Sequence, residues 1–324
     1  NPHLFSINCK SWALNKISFT TIKGSKKKYM KLYTINIMNR VILAFLLTIT
    51  RLMSLFPRSI IYKNKSVLAK FLKSQLKRRN RIIKANIKYC FADKSKEWRD
   101  QLVDNIWEES VIGIFENNFA WNASNKRIEK INFSFRGDEI LEEALKENKG
   151  VILLFKHTLY LELSARLLST KYKYAAMERP NNNEIVQKLQ QIGRAYSSDL
   201  VVSNSKIKDC VRELKNNAIV FYGPDQDYRN KRSIISKFFK RKCLSTTVPF
   251  VLQKIVGSNV VFFDFYRENN KFYIEFKELK VDKKTAKNFV DMTNLVIEES
   301  VLEHPEQYLW HHRRFKSQAP NIYD

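Results

Sequence analysis

The fold is decided by residues 150–157, which read Gly-Val-Ile-Leu-Leu-Phe-Lys-His. Within them, Val151–Phe155 is a short, continuously apolar run, which is typical of a strand buried on both faces of a sheet. His157 follows this strand almost directly and precedes a helical pattern. Ligands and catalytic groups gather at the carboxyl ends of strands in an α/β sheet, so His157 is the first candidate for a functional residue.

Strands and helices alternate on both sides of this run. Strands are predicted over residues 131–135, 151–155, 172–177, 200–202, 218–222, 259–266 and 271–276. Helices are predicted over residues 138–148, 158–169, 181–194, 206–215, 247–256 and 284–303. This alternation predicts an α/β fold with a mainly parallel, mixed central sheet flanked by helices.

The overall composition excludes several classes of protein. Of 324 residues, 44% are hydrophobic and 13% aromatic, which excludes a wholly disordered chain. Only seven glycines and seven prolines occur, so a collagen-like or linker-like chain is excluded as well. The four cysteines are far apart and form no CxxC motif, so they define neither a disulfide framework nor a zinc site.

The positive charge is concentrated at one end of the chain. The formal net charge is +26, and residues 1–92 contain 20 Lys or Arg and no acidic residue. The remaining residues carry 38 basic and 32 acidic side chains, an ordinary balance. A basic end of this kind indicates a polyanionic partner, either a nucleic acid or a membrane rich in anionic lipid.

An apolar segment over residues 41–56 favours the membrane. It contains Arg51 and is flanked by Arg40 and Arg58, and it is shorter than the roughly 20 apolar residues of an uninterrupted span. It therefore predicts a helix that dips into one leaflet, the alternative being a buried core helix. We expect residues 1–37 to be a poorly ordered basic extension, 38–60 a membrane-associated helix, and 61–324 the α/β domain. Within that domain, residues 63–89 and 98–121 are predicted as amphipathic helices.

Polar side chains follow the ends of several predicted strands. Glu162 can reach His157 only if the histidine lies on the loop before the helix and the chain bends back. A carboxylate on one ring nitrogen would fix the tautomer and leave the other nitrogen to act as a general base; the alternative is a purely structural pair. The further segments expected at the carboxyl-end edge of the sheet are Met177-Glu178-Arg179-Pro180, Gly193-Arg194 and residues 222–232. Near the C-terminus, residues 305–315 cluster aromatic and basic side chains that periodicity does not explain.

Taken in order, these motifs resemble the late acyltransferases of bacterial lipid A biosynthesis, the lauroyl/myristoyl transferase family. The likeness runs from about Met38 to Lys316 and includes Lys77-Arg78-Arg79, Gly150-Val151-Ile152-Leu153-Leu154, His157-x4-Glu162, Arg179-Pro180, Gly193-Arg194, Pro224-Asp225-Gln226-Asp227-Tyr228 and Pro305-Glu306-Gln307-Tyr308-Leu309-Trp310. The resemblance implies a glycerolipid-acyltransferase-like fold. It also implies acyl transfer from an acyl carrier protein thioester to a hydroxyl of a lipid A precursor, on the cytoplasmic face of the inner membrane. No metal, other cofactor or nucleic acid is expected.

The resemblance also assigns roles by motif position. It implies that His157 is the general base and Glu162 its orienting partner. Arg194 and Asp225 fall where the family has further functional residues, and Arg179 has a supporting role. Additional supporting or substrate-binding candidates, mostly cations suited to acceptor phosphates, are Asp227, Arg229, Arg232, His312, Arg313 and Arg314.

Two departures from the family pattern leave the acceptor open. Gln226 stands where a second histidine is usual, and Lys156 stands where a small or polar residue is usual, so phosphate and glycan contacts are expected to differ. The alternatives are an acyltransferase for a glycerolipid, aminolipid or glycolipid, a homologue that has lost activity, and a basic nucleic-acid-binding protein. The length of the acyl chain does not follow from the sequence.

Overall fold

The structure, a computed structural model, describes residues 37–198, 200–203, 207–279 and 284–324. The extension expected over residues 1–37 lies outside them except for its last residue. Five helices come first: α1 (Ile37–Ser54), α2 (Arg58–Lys63), α3 (Lys65–Gln75), α4 (Lys77–Cys90) and α5 (Lys96–Asn122). The chain continues as α6 (Asn125–Ile128), β1 (Phe133–Arg136), α7 (Asp138–Lys146), β2 (Val151–Phe155), α8 (Leu161–Leu168), β3 (Tyr174–Glu178), α9 (Glu184–Arg194), β4 (Leu200–Ser203), α10 (Ile207–Lys215), β5 (Ile219–Tyr222), β6 (Ser233–Phe238), β7 (Arg241–Thr246), α11 (Val248–Val256), β8 (Asn259–Glu268), β9 (Lys271–Glu278) and α12 (Ala286–Glu303).

Seven of these strands form one mixed sheet in the order β1-β9-β8-β2-β5-β3-β4. Strand β2 is central and parallel to both of its neighbours, β5 and β8. Strand β9 runs antiparallel to β8, and β1 is parallel to β9, which makes the sheet mixed. The predicted fold class is therefore confirmed. Because β2, β3, β5 and β8 run in the same direction, the loops that follow them meet at one edge of the sheet.

The two faces of β2 pack into two different parts of the core. Val151, Leu153 and Phe155 belong to a cluster that includes residues of α7 and α8. Ile152 and Leu154 belong to a second cluster that includes residues of α10, α11 and α12. This alternation continues past the strand, so consecutive side chains lie on opposite faces of the sheet.

Lys156 lies on the same face of the sheet as Ile152 and Leu154, and its side chain is buried in the core. Its side chain is 1% exposed, and the ammonium group pairs with the carboxylate of Asp264 on β8 and donates to the hydroxyl of Ser300 on α12. The expectation that Lys156 would alter phosphate or glycan contacts is therefore wrong, since the side chain points away from the sheet edge into a buried ion pair.

Breaking this ion pair is expected to destabilise the protein strongly. Lys156→Met leaves Asp264 buried without its main partner, and such single changes cost about 3–5 kcal/mol of unfolding free energy. The double variant Lys156→Met/Asp264→Leu is expected to recover most of that loss, because a well-packed apolar pair replaces the ion pair. Denaturant unfolding of the detergent-solubilised protein measures both. Equal destabilisation of the single and double variants would contradict the assignment.

Helix α1 is exposed over most of its length. Of the helices in the described ranges, it is the one long and apolar enough to cross a membrane, and only 11% of it is buried. Its inner side packs on α5, where the amide of Asn118 donates to the carbonyl of Thr50. Its 18 residues extend beyond the apolar run and include Arg40 and Arg51.

The prediction of one amphipathic helix over residues 63–89 is wrong. The chain turns at Leu76, which separates α3 from α4. Helix α4 packs against the C-terminal segment. There the side-chain amide of Asn86 donates to the carbonyls of Trp310 and His312, each at 2.8 Å. Ile83 and Ile87 are fully buried there, whereas Phe71 on α3 is exposed.

Candidate active site

His157 lies on the loop after β2, and its closest polar partner is Asp225. The backbone N–H of His157 donates to Asp225 Oδ2 at 2.9 Å, and the imidazole Nδ1 lies 2.5 Å from Asp225 Oδ1. Asp225 comes from the loop after β5, the strand beside β2. The parallel pairing of these two strands therefore brings together two residues that lie 68 positions apart in the sequence.

The environment keeps Asp225 ionised. Burial by itself would raise its pKa, but the charge of His157 and the two hydrogen bonds from that residue outweigh burial and lower the pKa to about 2. A carboxylate at Nδ1 holds the proton on that nitrogen and leaves Nε2 with a lone pair. The imidazole side chain is 14% exposed. The arrangement can therefore accept a proton from a hydroxyl group placed at Nε2.

Glu162 does not contact His157, so the predicted pairing of these two side chains is wrong. The carboxylate of Glu162 accepts from Trp121 Nε1 at 2.8 Å and from the guanidinium of Arg194 at distances down to 2.5 Å. Asn117 on α5 fixes this geometry, because its side-chain oxygen accepts from the backbone N–H groups of Glu162 and Leu163 and so caps α8. The cap directs the first turn of α8 toward α9.

Arg194 is held between two carboxylates. Its Nη1 lies 2.5 Å from Glu178 at the end of β3, and its other nitrogens bind Glu162. Burial would lower the pKa of Arg194, but the two acids outweigh burial and raise it above the ordinary value. Gly193 makes the arrangement possible, because a Cβ at that position would clash with the ring of Trp121. The Gly193-Arg194 motif thus places a fixed cation at the same sheet edge as His157.

The C-terminal segment supports the loop that carries His157. The N–H of Leu309 donates to the carbonyl of His157 at 3.0 Å, and the N–H of Leu159 donates to the carbonyl of Gln307 at 2.9 Å. On the opposite side, a Cβ on Gly223 would lie 2.5 Å from Cε1 of His157, so only glycine lets the two loops approach this closely. The unexplained cluster over residues 305–315 therefore includes a backbone support for His157.

Asp227 and His312 anchor the loop that carries Asp225. Asp227 accepts from the backbone N–H and the hydroxyl of Ser317, each at 2.7 Å, and its own N–H donates to His312 Nε2 at 3.3 Å. Burial, with a smaller contribution from the charge of His157, lowers the pKa of His312 to about 4. His312 is therefore neutral near pH 7 and acts as a hydrogen-bond acceptor.

The cations predicted to bind phosphate differ in where the structure places them. Arg179 and Arg229 line an open cavity beside Asp227, and Lys316, which was not among the predicted cations, lines it with them. Arg314 is fully buried, and it donates to the carbonyls of Leu244 and Gln226, so the expectation that it binds phosphate is wrong. The remaining two candidates do not line this cavity: Arg232 is exposed before β6, and the guanidinium of Arg313 lies over the ring of Tyr323, 5.4 Å from its centroid.

Three contributors to the site were missed in the sequence. Asn117 and Trp121 lie on α5, far from any strand end, and nothing in the sequence connects them to Glu162. Glu178 lies in the motif Met177-Glu178-Arg179-Pro180, which was singled out for its arginine rather than its acid. In the described part of the chain, no three His, Cys, Asp or Glu side chains come together as a metal site.

Comparison with known proteins identifies the family of this chain. Residues 29–317 match the family described as bacterial lipid A biosynthesis acyltransferase. The chain is 30% identical to the lipid A biosynthesis palmitoleoyltransferase of Escherichia coli K12 over 249 residues, 75% of this chain and 80% of the relative. It is 28% identical to the lauroyltransferase of the same organism over 82% of this chain and 88% of the relative. The myristoyltransferase of that organism is 25% identical over 72% and 74% of the two chains. The chain therefore belongs to the bacterial lipid A biosynthesis acyltransferase family.

Proposed function

We propose that this acyltransferase moves a fatty acyl chain from an acyl carrier protein thioester to a hydroxyl of a lipid A precursor, with His157 as the general base. The observation that carries the proposal is the Asp225–His157 pair at the end of β2, which leaves Nε2 able to accept a proton. Membership of the family supports a lipid A-type acceptor.

The proposed reaction is a direct transfer. The acceptor oxygen attacks the thioester carbonyl carbon while its proton passes to Nε2 of His157. The tetrahedral intermediate then collapses, the carbon–sulfur bond breaks, and the thiolate takes the proton from the imidazolium. Cys90, Cys210 and Cys243 are buried, which supports transfer without an acyl-cysteine intermediate.

The cavity lined by Arg179, Arg229 and Lys316 supports recognition of an acceptor phosphate. Three cations face one acid there, and that acid, Asp227, is already engaged by Ser317. Guanidinium groups match phosphate oxygens in geometry as well as charge. Arg232 and Arg313 remain candidates for more distant contacts with the acceptor.

The exposed apolar helix α1 supports a membrane location. The relatives are bacterial lipid A enzymes, and lipid-linked acceptors are presented at a bilayer. The basic residues around α1 match the anionic headgroups of a cytoplasmic leaflet. We therefore assign the enzyme to the cytoplasmic face of the inner membrane.

An assay with defined donors and acceptors tests this function. The purified protein, acyl carrier protein thioester and a lipid A precursor are expected to yield a product heavier by one acyl chain. Removing the acceptor phosphates is expected to raise KM roughly 10–100-fold, the loss of one or two charge-assisted hydrogen bonds. Mass spectrometry identifies the products. Acyl transfer to a glycerolipid or aminolipid in place of the lipid A precursor would contradict the acceptor assignment, and equal turnover with acyl-coenzyme A would contradict the donor.

A further inference from the structure

A row of exposed apolar side chains continues past α1 along α2 and α3. Phe56 is 56% exposed and Ile60 44%, and on α3 Val67 is 69% and Phe71 65% exposed. These residues do not form the core face of α3, because Leu68, Ala69 and Leu72 on its other side pack into the core. We call Phe56, Ile60, Val67 and Phe71 the apolar ridge.

The charges along the ridge are basic only. Lys63 and Lys70 are exposed between the apolar positions, and the sequence contains no acidic residue before Asp93. The neighbouring Lys65 and Lys73 are different, because they turn inward to pair with Glu108 and Asp104 on α5. Apolar side chains interleaved with lysines are typical of a helix that lies in a membrane–water interface.

We propose that α2 and α3 lie flat on the bilayer, with the apolar ridge at the level of the lipid headgroups and Lys63 and Lys70 on anionic lipid. The ridge follows α1 without a break, since Leu52 is 61% and Leu55 66% exposed. The proposal rests on the membrane association of α1 proposed above and extends it to a second contact. The partner that fits this surface is an anionic lipid bilayer.

A chain of hydrogen bonds and a cation–π contact connects α2 to the loop that carries His157. On the inner face of α2, Arg58 Nε and the Tyr62 hydroxyl donate to one oxygen of Glu116, at 2.7 and 2.8 Å. The guanidinium of Arg267 lies 5.3 Å from the centroid of the Tyr62 ring, and its Nε donates to the hydroxyl of Tyr160 at 3.2 Å. Tyr160 is fully buried and lies on the same loop as His157. This chain of contacts links α2 to that loop, so the position of α2 and α3 on the bilayer fixes the distance between His157 and the lipid surface.

Fluorescent labelling of the full chain tests the contact. An environment-sensitive nitrobenzoxadiazole label is attached at Phe71→Cys, at Phe45→Cys on α1, or at Ile255→Cys on α11 as a matched exposed control. The buried cysteines do not compete, and Cys9→Ser removes the fourth. With vesicles of phosphatidylcholine and phosphatidylglycerol, labels at 71 and 45 are expected to shift to the blue and to be quenched by spin-labelled lipid. The label at 255 is expected to stay in water.

The outcomes separate this proposal from the proposed function. Quenching at 45 without quenching at 71 would overturn the contact of α3 and leave anchoring by α1 intact. Quenching at neither position would overturn membrane association as a whole. It would not bear on the proposed acyl transfer, which the assay with defined donors and acceptors tests separately. A blue shift at 71 without vesicles would assign the apolar ridge to a protein surface, such as a second copy, and would also overturn the proposal.

Discussion

Replacement of His157 by alanine is expected to lower kcat by about 10²–10⁴-fold, the usual contribution of a general base. The acceptor hydroxyl would then have to lose its proton to water while it attacks the thioester. KM is expected to change little, because the proposed phosphate contacts lie on other residues. Single-turnover transfer from acyl carrier protein measures the chemical step, and circular dichroism checks that the fold is retained.

A second substitution at the same position separates the base from the loop geometry. The amide of His157→Asn can still donate to Asp225, but it has no atom at the place of Nε2. We expect it to lose as much activity as the alanine variant while keeping the stability of the wild type. Wild-type turnover in either variant would exclude His157 as the base.

Most of the central sheet could be predicted, because strands such as β2 and β5 are short apolar runs next to a helical pattern and β9 alternates apolar and polar residues. Among the strands, the hairpin β6–β7 was not predicted from the sequence. Its turn consists of Phe239 and Lys240, which have φ values of 50° and 59°, rather than the Asn-Gly or Gly-containing pairs that usually mark such turns. The packing of Phe239 on Phe91 and Trp310 offsets the cost of this backbone conformation, and no local sequence pattern indicates those contacts.

The site could be predicted as a location but not as a set of contacts. The rule that functional groups gather at strand ends singled out His157 and the segments that contain Arg194 and Asp225, although those two residues were chosen individually by the family resemblance. The structure places all three residues at that edge. The rule could not decide which carboxylate contacts the imidazole. Glu162 is near His157 in the sequence, but Asn117 on a distant helix directs it toward Arg194. Asp225 is far away in the sequence, and only the pairing of β2 with β5 brings it to Nδ1.

Asp225→Asn is expected to lower kcat by about 10³–10⁴-fold, with a smaller effect on folding. An amide has nearly the shape of the carboxylate, but it no longer holds the proton on Nδ1 or stabilises the imidazolium that forms during transfer. The wild-type carboxyl has a pKa of about 2, below its ordinary value of 3.8. Its contribution to stability is therefore complete above about pH 4 and is lost as the pH falls toward 2. Activity between pH 5 and 9 is therefore expected to show no step from Asp225. Transfer rates across this range measure both effects.

Asp227→Asn is the matched control, two residues further along the same loop. The side chain of Asp227 accepts from the backbone and hydroxyl of Ser317 and does not contact the imidazole, and an asparagine oxygen can keep one of those bonds. The control variant is thus expected to lose stability rather than the chemical step, with kcat within about tenfold of wild type. If the two variants lost kcat equally, Asp225 would act by holding the loop in place. A far larger loss at Asp225 would support the proposal that Asp225 holds the proton on Nδ1 of His157, the nitrogen that lies 2.5 Å from its carboxylate.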